Sequence, residues 1–153
     1  MRRADAADLE RVGVLIGEAV EALRGARGGA DRLAEIASPL ATALEDWASA
    51  AQNAVFFGTY ADAAVGIAVA DVTARGTQDV GRLLLCYVEP EAREVGVGRA
   101  LLDAVESWAV SAGCCALEAP ALPGDRATKR LLEAAGHRAR LVVMQRLLSD
   151  EVP

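Results

Sequence analysis

Two glycines and two arginines are grouped immediately before a strongly amphipathic segment of the chain. Residues 88–100 read VEPEAREVGVGRA, so Gly96 and Gly98 are separated by one residue, and Arg93 and Arg99 flank them. Glycine lets the backbone approach a ligand without a side chain in the way. The free N–H groups and the dipole at the start of a helix attract an anion. The pattern therefore predicts a cradle for a pyrophosphate.

Two other interpretations of this loop compete with the cradle. A glycine turn before a helix is common, so the two glycines alone also fit a plain turn. A dinucleotide-binding site is the second alternative. Glu118 ends a predicted strand about 20 residues after the glycines, which is where such a site has the acid that binds the ribose. It would require a third glycine where Leu101 stands, and a tight turn where the six-residue polar loop 89–94 separates Val88 from the glycine turn. The longer string Val-x-Pro-x-x-Arg-x-x-Gly-x-Gly favours the cradle over both.

Two helices are predicted in the first third of the chain. The first covers residues 5–24, with apolar positions at helical spacing: Leu9, Val12, Ile16, Ala19, Val20 and Leu23. The second carries a similar apolar face: Leu33, Ile36, Leu40, Leu44, Trp47 and Ala51. Pro39 interrupts this second pattern, and Ser38 as N-cap would restart the helix there.

Strands and helices of the remaining chain position the loop. Three strands joined by short turns are predicted at 54–60, 64–73 and 80–88, which implies an antiparallel meander. Helices and strands then alternate: helix 97–112, strand 114–119, helix 125–135 and strand 138–148. A strand–helix–strand order implies one parallel pair. The predicted fold class is α/β, with a mixed (α+β), mostly antiparallel central sheet flanked by helices.

Bulk composition narrows the function. The 153 residues fit a single domain, 1–153. The net charge of −6 offers no electrostatic footprint for nucleic acid. One histidine and three cysteines outside any Cys-x-x-Cys pair predict no metal site and reduced thiols. No apolar run reaches the roughly 20 residues that span a bilayer. We therefore expect a cytoplasmic protein without a membrane or nucleic-acid partner. The sequence leaves the oligomeric state open between a monomer and a homodimer.

The loop resembles the acetyl-CoA-binding motif of the GNAT acetyltransferase superfamily, and the likeness extends over essentially the whole chain. In that family a strand splays from its neighbour at a bulge, its exposed amides bind the pantetheine arm, and the glycine loop binds the pyrophosphate. The resemblance implies a GNAT-like fold and acetyl-CoA as acyl donor. By the same resemblance, the residues that bind acetyl-CoA would be Tyr87, Val88, Arg93, Glu94, Val95, Gly96, Val97, Gly98, Arg99, Ala100 and Asp125.

Residues 122–137 resemble the last motif of the same family, with three departures. Leu132 occupies the position of a tyrosine that protonates the leaving thiolate, and leucine cannot donate a proton. Asp125 replaces an asparagine, and His137 replaces a phenylalanine. The resemblance implies an enzyme that transfers an acetyl group to an amine of a small molecule or a protein. Because of Leu132, a non-catalytic module that binds or senses acyl-CoA is the alternative.

Two residues are candidates for acid–base chemistry. Glu118 ends the strand predicted to flank the splayed site, where a carboxylate can accept a proton from the amine. The competing interpretation of Glu118 is a solvated charge at a sheet edge. Tyr87 can line the pantetheine channel or replace the missing acid, and a packed sheet aromatic is an equally good interpretation. Polarisation of the thioester carbonyl by the Val88 N–H is implied by the resemblance.

Overall fold

The chain folds around one twisted sheet with helices on both faces. The computed structural model describes residues 1–46, 51–146 and 148, with the side chain of Ala6 outside that description. A 3₁₀ turn at Ala6–Asp8 precedes the first helix and another at Pro90–Ala92 precedes the glycine loop. The elements in chain order are β1 Arg2–Arg3, α1 Leu9–Arg24, α2 Gly29–Asp46, β2 Asn53–Tyr60, β3 Ala63–Arg75, β4 Gln78–Val88, α3 Val97–Ser111, β5 Ala116–Glu118 and α4 Arg126–Ala134.

The strands follow one another across the sheet in the order β1-β2-β3-β4-β5. The first four are antiparallel neighbours, and β4 pairs with β5 in parallel. The predicted meander and the single parallel pair are therefore confirmed. Arg2–Arg3 supplies a very short first strand.

Each face of the sheet carries its own apolar core. α1 and α2 cover one face, where Leu15 and Ile36 pack over Phe57 and Ile67. α3 covers the other face, and Leu101 is fully buried among alanines of the strands. Leu132 of α4 joins this second core. Long side chains on one face and alanines on the other let α3 approach the sheet closely.

Two strand glycines bring α3 against the sheet near the glycine loop. A Cβ at Gly58 would overlap Cγ1 of Val97, and a Cβ at Gly66 would lie 2.9 Å from the Tyr87 carbonyl oxygen and 3.2 Å from Leu101. A glycine inside a strand often marks such a close approach. The first turn of α3 is thereby held beside the end of β4.

The prediction that α2 restarts at Pro39 is wrong. α2 runs without a break from Gly29 to Asp46 and contains Pro39. Proline removes one helix hydrogen bond and tends to kink the helix. Here Ile36 and Leu40 are buried on either side of it, and that packing holds both halves in one helix. The predicted Trp47 contact lies outside the described residues, and Ala51 lies in a turn.

The prediction of a final strand over 138–148 is also wrong for the residues that the structure describes. Residues 138–146 have no regular secondary structure and are exposed. A strand requires a neighbouring strand for its backbone groups. Within the described part of this chain, none pairs with the segment. The order of the preceding elements, through α4, agrees with the prediction.

Replacing Gly58 with alanine should destabilise the fold. The added methyl group would force Val97 and the first turn of α3 outwards, and overpacking of this kind costs about 1–3 kcal/mol. Gly17→Ala is the matched control, because a Cβ there meets nothing within 4 Å in an ordinary helix. It should stabilise the chain by about 0.5–1 kcal/mol. Urea unfolding of both variants measures the difference; equal free energies of unfolding would contradict the close approach.

Candidate functional site

The sheet opens into a cleft where β4 and β5 separate. Their parallel pairing covers Val80 to Arg82 opposite Ala116 to Glu118 and stops there, while β4 continues to Val88. Opposite the Val69/Ala70 junction, β4 carries one extra residue, Leu84, which forms a bulge directly after the pairing ends. Residues 83–88 of β4 therefore form an edge that no strand covers within the described residues. We call the space along this edge the β4–β5 cleft.

Backbone groups of Val88 point into this cleft. The N–H of Glu89 donates to the Val65 carbonyl on β3 at 2.9 Å. Because successive N–H groups of a strand point to opposite edges, the Val88 N–H points away from β3. The Val88 carbonyl accepts a hydrogen bond from Arg93 Nε at 3.0 Å. The predicted Val88 amide thus lies on the open edge, beside the arginine of the loop.

The glycine loop delivers the chain into α3 through two left-handed residues. Glu94 has a φ of 66° and Gly96 a φ of 91°, and Gly96 is the N-cap of α3. No side chain caps this helix, and its first backbone hydrogen bond runs from Ala100 N to Gly96 O at 3.0 Å. The N–H groups before Ala100, from Val97 to Arg99, remain as the helix's leftover donors. These donors and the Val88 edge meet at one end of the cleft.

Gly98 lies between the strand edge and α4. A Cβ built there would stand 3.5 Å from Leu131 and 3.8 Å from a methyl group of Val88, at ordinary contact distance. The protein itself would therefore tolerate a small side chain at Gly98. The packing of the chain's own atoms therefore does not account for a glycine at this position. Of the other predicted loop residues, Val97 is buried against Gly58, whereas Glu94 and Val95 are exposed.

The two predicted arginines differ in their contacts. Arg93 is exposed and bonded to the edge of the cleft. Arg99 donates from Nε to Asp103 at 2.8 Å and from Nη1 to the Ala134 carbonyl at 3.1 Å. Arg99 thereby ties α3 to the end of α4. Arg93 is the better placed of the two to supply positive charge at the loop.

Asp125 and Leu132 both have structural partners in α4. The Asp125 carboxylate caps the helix by accepting from Thr128 N at 3.0 Å. Leu132 is 7% exposed and packs into the core beneath α3. His137, beyond the helix end, has Nδ1 3.8 Å from Glu106. The position that the resemblance assigns to a proton-donating tyrosine is therefore filled by a buried apolar side chain.

Tyr87 lies on the sheet face covered by α1 and α2. Its ring packs against that core, opposite to the face occupied by Val88. Burial raises the pKa of the Tyr87 phenol, and the neighbouring Glu18 carboxylate of α1 raises it further. The phenol is consequently protonated at neutral pH, the state that a proton donor needs.

Glu118 lies where the two strands part, opposite Arg82, and it is ion-paired. Its carboxylate oxygens accept from Arg75 at 2.5 and 2.7 Å, and Arg140 Nε lies 3.6 Å away. The hydrogen bonds from Arg75 lower the pKa of Glu118. Tyr87 is five residues further along β4 than Arg82, about 17 Å along the strand. The two predicted catalytic residues therefore lie at opposite ends of the open edge.

An ion pair that was not predicted from the sequence lies beside the bulge, where Asp71 fitted an ordinary turn or edge charge. The buried Asp71 of β3 forms an ion pair with Arg82, whose Nε lies 2.8 Å from Oδ1. Arg32 of α2 donates to the carbonyls of Leu83 and Leu84 at 3.3 and 3.4 Å. A charge inside a strongly apolar strand was the available signal for Asp71. No sequence signal placed Arg32 against the bulge, because that contact depends on how α2 crosses the sheet.

Comparison with known proteins identifies the family. The model of the acetyltransferase (GNAT) family matches residues 20–137, well over half of the chain. The protein belongs to this family, and the predicted membership and fold are confirmed.

Within the described residues, no group of three or more His, Cys, Asp or Glu side chains could hold a metal ion. Among the helices of the described residues, none combines the length and the apolar character of a membrane span.

Aminoglycoside acetyltransferases are among the similar proteins. The chain is 38% identical over 96 residues to an aminoglycoside N(6')-acetyltransferase type 1 from Stenotrophomonas maltophilia, and the match spans 58% of this chain and 59% of that relative. The fold of this chain matches the solved structure of AAC(6')-Iy in complex with a CoA bisubstrate analogue. The TM-score is 0.72, the sequence identity is 21%, and 97% of both chains is covered. It also matches an acetyltransferase from an uncultured soil metagenomic sample in complex with sisomicin, with a TM-score of 0.68, 15% identity and 97% and 95% coverage.

Removing the Arg75 side chain should raise the pKa of Glu118 towards its ordinary value, because the hydrogen bonds from Arg75 are the main cause of the lowering. The carboxyl resonance of Glu118, followed by NMR from acid to neutral pH in Arg75→Ala, measures this. Arg24→Ala, which removes an exposed arginine paired with Glu21, is the control and should leave the Glu118 titration unchanged. An identical Glu118 titration in Arg75→Ala and wild type would refute the ion pair.

Proposed function

We propose that this chain is an N-acetyltransferase that binds acetyl-CoA in the β4–β5 cleft and transfers its acetyl group to an amine. The proposal rests on one observation: the open edge of β4 leads directly to the start of α3, whose first N–H groups no side chain caps. One linear ligand with an anionic group and an amide-bearing arm can use both surfaces. Acetyl-CoA has this form, and it supplies an acetyl group activated as a thioester.

The residues present fit such a ligand. The leftover N–H groups of Val97, Gly98 and Arg99 and the nearby Arg93 suit a pyrophosphate, because helix starts attract anions. The bare Cα of Gly98 keeps the approach open. Residues 83–88 extend for about 20 Å, and the N–H groups on this edge, that of Val88 among them, can bind the amides of a pantetheine arm. The carbonyls of Leu83, Leu84 and Val88 already accept hydrogen bonds from arginine side chains. An arm lying along this edge leads from the loop towards the bulge and Glu118.

We assign the acid and base roles from these positions. Glu118 is the candidate base for the amine, acting directly or through water, although its pairing with Arg75 makes it a weak base. The amine must then lose its proton mainly through its own acidity. Tyr87 lies at the loop end of the edge, about 17 Å along β4 from the level of Glu118, so we assign it to the pantetheine channel and not to proton donation. A thiolate with an ordinary pKa of about 8.5 leaves readily even without a dedicated donor.

The acceptor proposed is an amine of a small molecule, and an aminoglycoside is the first to test. The proposal follows the names of the relatives, which act on or bind that class, and the net charge of −6, which suits a cationic acceptor. A protein amine is the other acceptor class.

We also propose that residues 1–153 act as one domain. Its cysteines Cys86, Cys114 and Cys115 are free, which fits the reducing cytoplasm.

A second candidate function is an acyl-CoA sensor without turnover. The observation favouring it is the buried Leu132 at the family's tyrosine position. Both functions require binding of acetyl-CoA, so a thermal shift does not separate them. Catalysis requires release of free CoA in addition.

Release of free thiol from acetyl-CoA in the presence of an amine panel tests the proposed function. The panel includes aminoglycosides, polyamines and lysine peptides. We expect release that depends on the amine and increases with pH, because the neutral amine is the nucleophile. Acetyl-CoA alone is the control. Binding of acetyl-CoA without thiol release from any amine would favour the sensor.

Gly98→Asp should weaken acetyl-CoA binding at least tenfold, or by about 1.4 kcal/mol. The substitution puts a side chain and a negative charge beside the first turn of α3, and its Cβ would lie at ordinary contact distance from Leu131. Gly13→Asp adds the same charge at an open position of α1 and should bind like wild type. Calorimetric titration measures both affinities. Wild-type affinity in Gly98→Asp would mean that the loop is only a turn.

A further inference from the structure

Arg32 of α2 binds two successive carbonyls of β4 at the point where β4 and β5 separate. One nitrogen, Nη2, donates to the carbonyl oxygen of Leu83 at 3.3 Å and to that of Leu84 at 3.4 Å. The carbonyls of successive strand residues ordinarily point to opposite edges. A single nitrogen reaches both here because the bulge turns one of them. The guanidinium of Arg32 therefore fits the bulge and would not fit a regular strand.

The side chains around the bulge show the same change of direction. Leu83 packs in the core beneath α3, whereas Leu84 and Leu85 both pack in the core beneath α1 and α2. Successive side chains of a regular strand would alternate between the two faces. A bulge changes the direction of the backbone and side chains that follow it. The course of the open edge beyond Leu85 therefore depends on how the bulge is held.

Arg32 takes a position that β5 would otherwise fill. The Asp79 carbonyl faces β5, since it accepts a hydrogen bond from the Cys115 N–H at 2.9 Å. Alternate carbonyls of a strand share an edge, so the Leu83 carbonyl also faces the β5 side. Two residues after β5 ends, Pro120 has no N–H to donate to a ladder. The hydrogen bond that Leu83 does not receive from β5 comes from Arg32.

The Arg32 side chain is largely enclosed at this position. Only 18% of it is exposed, and its Nη1 lies 3.5 Å from Oε2 of Glu35. Burial lowers the pKa of Arg32, but a guanidinium keeps its charge at neutral pH. A buried cation requires hydrogen-bond acceptors, and bonds from a charged donor are stronger than bonds between neutral groups. The contact therefore fixes α2 and the bulge to each other.

We propose that Arg32 is a positioning residue of the acyl-CoA site, which holds β4 at the bulge and keeps it separated from β5. By binding the carbonyls of Leu83 and Leu84, Arg32 fixes the course of the strand beyond them. The N–H groups of Cys86 and Val88, two residues apart, then face the cleft together. The pantetheine arm meets donors that are already in place. This inference rests on the proposed function, because it concerns the same cleft.

Hydrogen exchange without ligand tests whether Arg32 holds the edge. Arg32→Met keeps an unbranched side chain and removes the donors and the charge. Amides of residues 84–87 should exchange about tenfold faster in this variant, because local opening becomes easier, whereas those of residues 101–102 should keep their wild-type rates. Arg32→Lys retains a charged donor and should lie between Arg32→Met and wild type. Arg24→Met, at an exposed arginine of α1, is the matched control.

Binding of acetyl-CoA and of ADP tests whether the edge serves the pantetheine arm. ADP carries the pyrophosphate but no arm, so it uses the glycine loop without the edge of β4. In Arg32→Met the affinity for acetyl-CoA should fall about tenfold, and the affinity for ADP should stay at the wild-type value. Arg32→Lys should recover part of the acetyl-CoA affinity, and Arg24→Met should match wild type for both ligands. NMR titration measures both affinities.

Unchanged exchange at residues 84–87 in Arg32→Met, or an unchanged affinity for acetyl-CoA, would overturn the inference. Uniformly faster exchange, or equal losses of affinity for acetyl-CoA and ADP, would assign Arg32 to the stability of the whole fold and overturn it as well. A wild-type protein that binds no acetyl-CoA would instead contradict the proposed function. The exchange rates would then still decide whether Arg32 holds the edge.

Discussion

The site depends on the early end of the parallel pairing between β4 and β5. Three residue pairs hold the strands together, and β4 then continues without a neighbour on that side among the described residues. A strand edge within a fold is normally paired or covered, because its N–H and C=O groups need partners. Leaving the edge open is useful when a ligand supplies those partners. The Leu84 bulge and the Arg32 hydrogen bonds to the neighbouring carbonyls lie at the point of separation.

The helix that follows completes the cleft because α3 can approach the sheet so closely. Gly58 and Gly66 leave no Cβ between the strands and Val97. The left-handed Gly96 turns the chain so that α3 starts directly beside the end of β4. Packing on one face of the sheet therefore sets the position of the helix donors relative to the strand edge. The binding chemistry is a consequence of that packing.

Much of this arrangement could be predicted from the sequence. The glycine loop, the meander and the helix after Val97 follow from local patterns of glycine, alternation and helical spacing. The restart at Pro39 was wrong because burial on both sides of the proline outweighs one lost hydrogen bond. The pairing of Glu118 with Arg75 joins residues 43 positions apart, and no local pattern encodes such a contact. The predicted last strand failed because pattern alone does not supply a neighbouring strand.

The most direct test of the account is where CoA contacts the backbone. Amide chemical shifts of the full chain, recorded by NMR during titration with CoA, report each N–H separately. The account predicts the largest changes at Val88, Val97 and Gly98, with smaller ones along β4 towards Leu84. Changes confined to other surfaces, with these amides unaffected at saturating CoA, would contradict the assignment of the β4–β5 cleft as the acyl-CoA site.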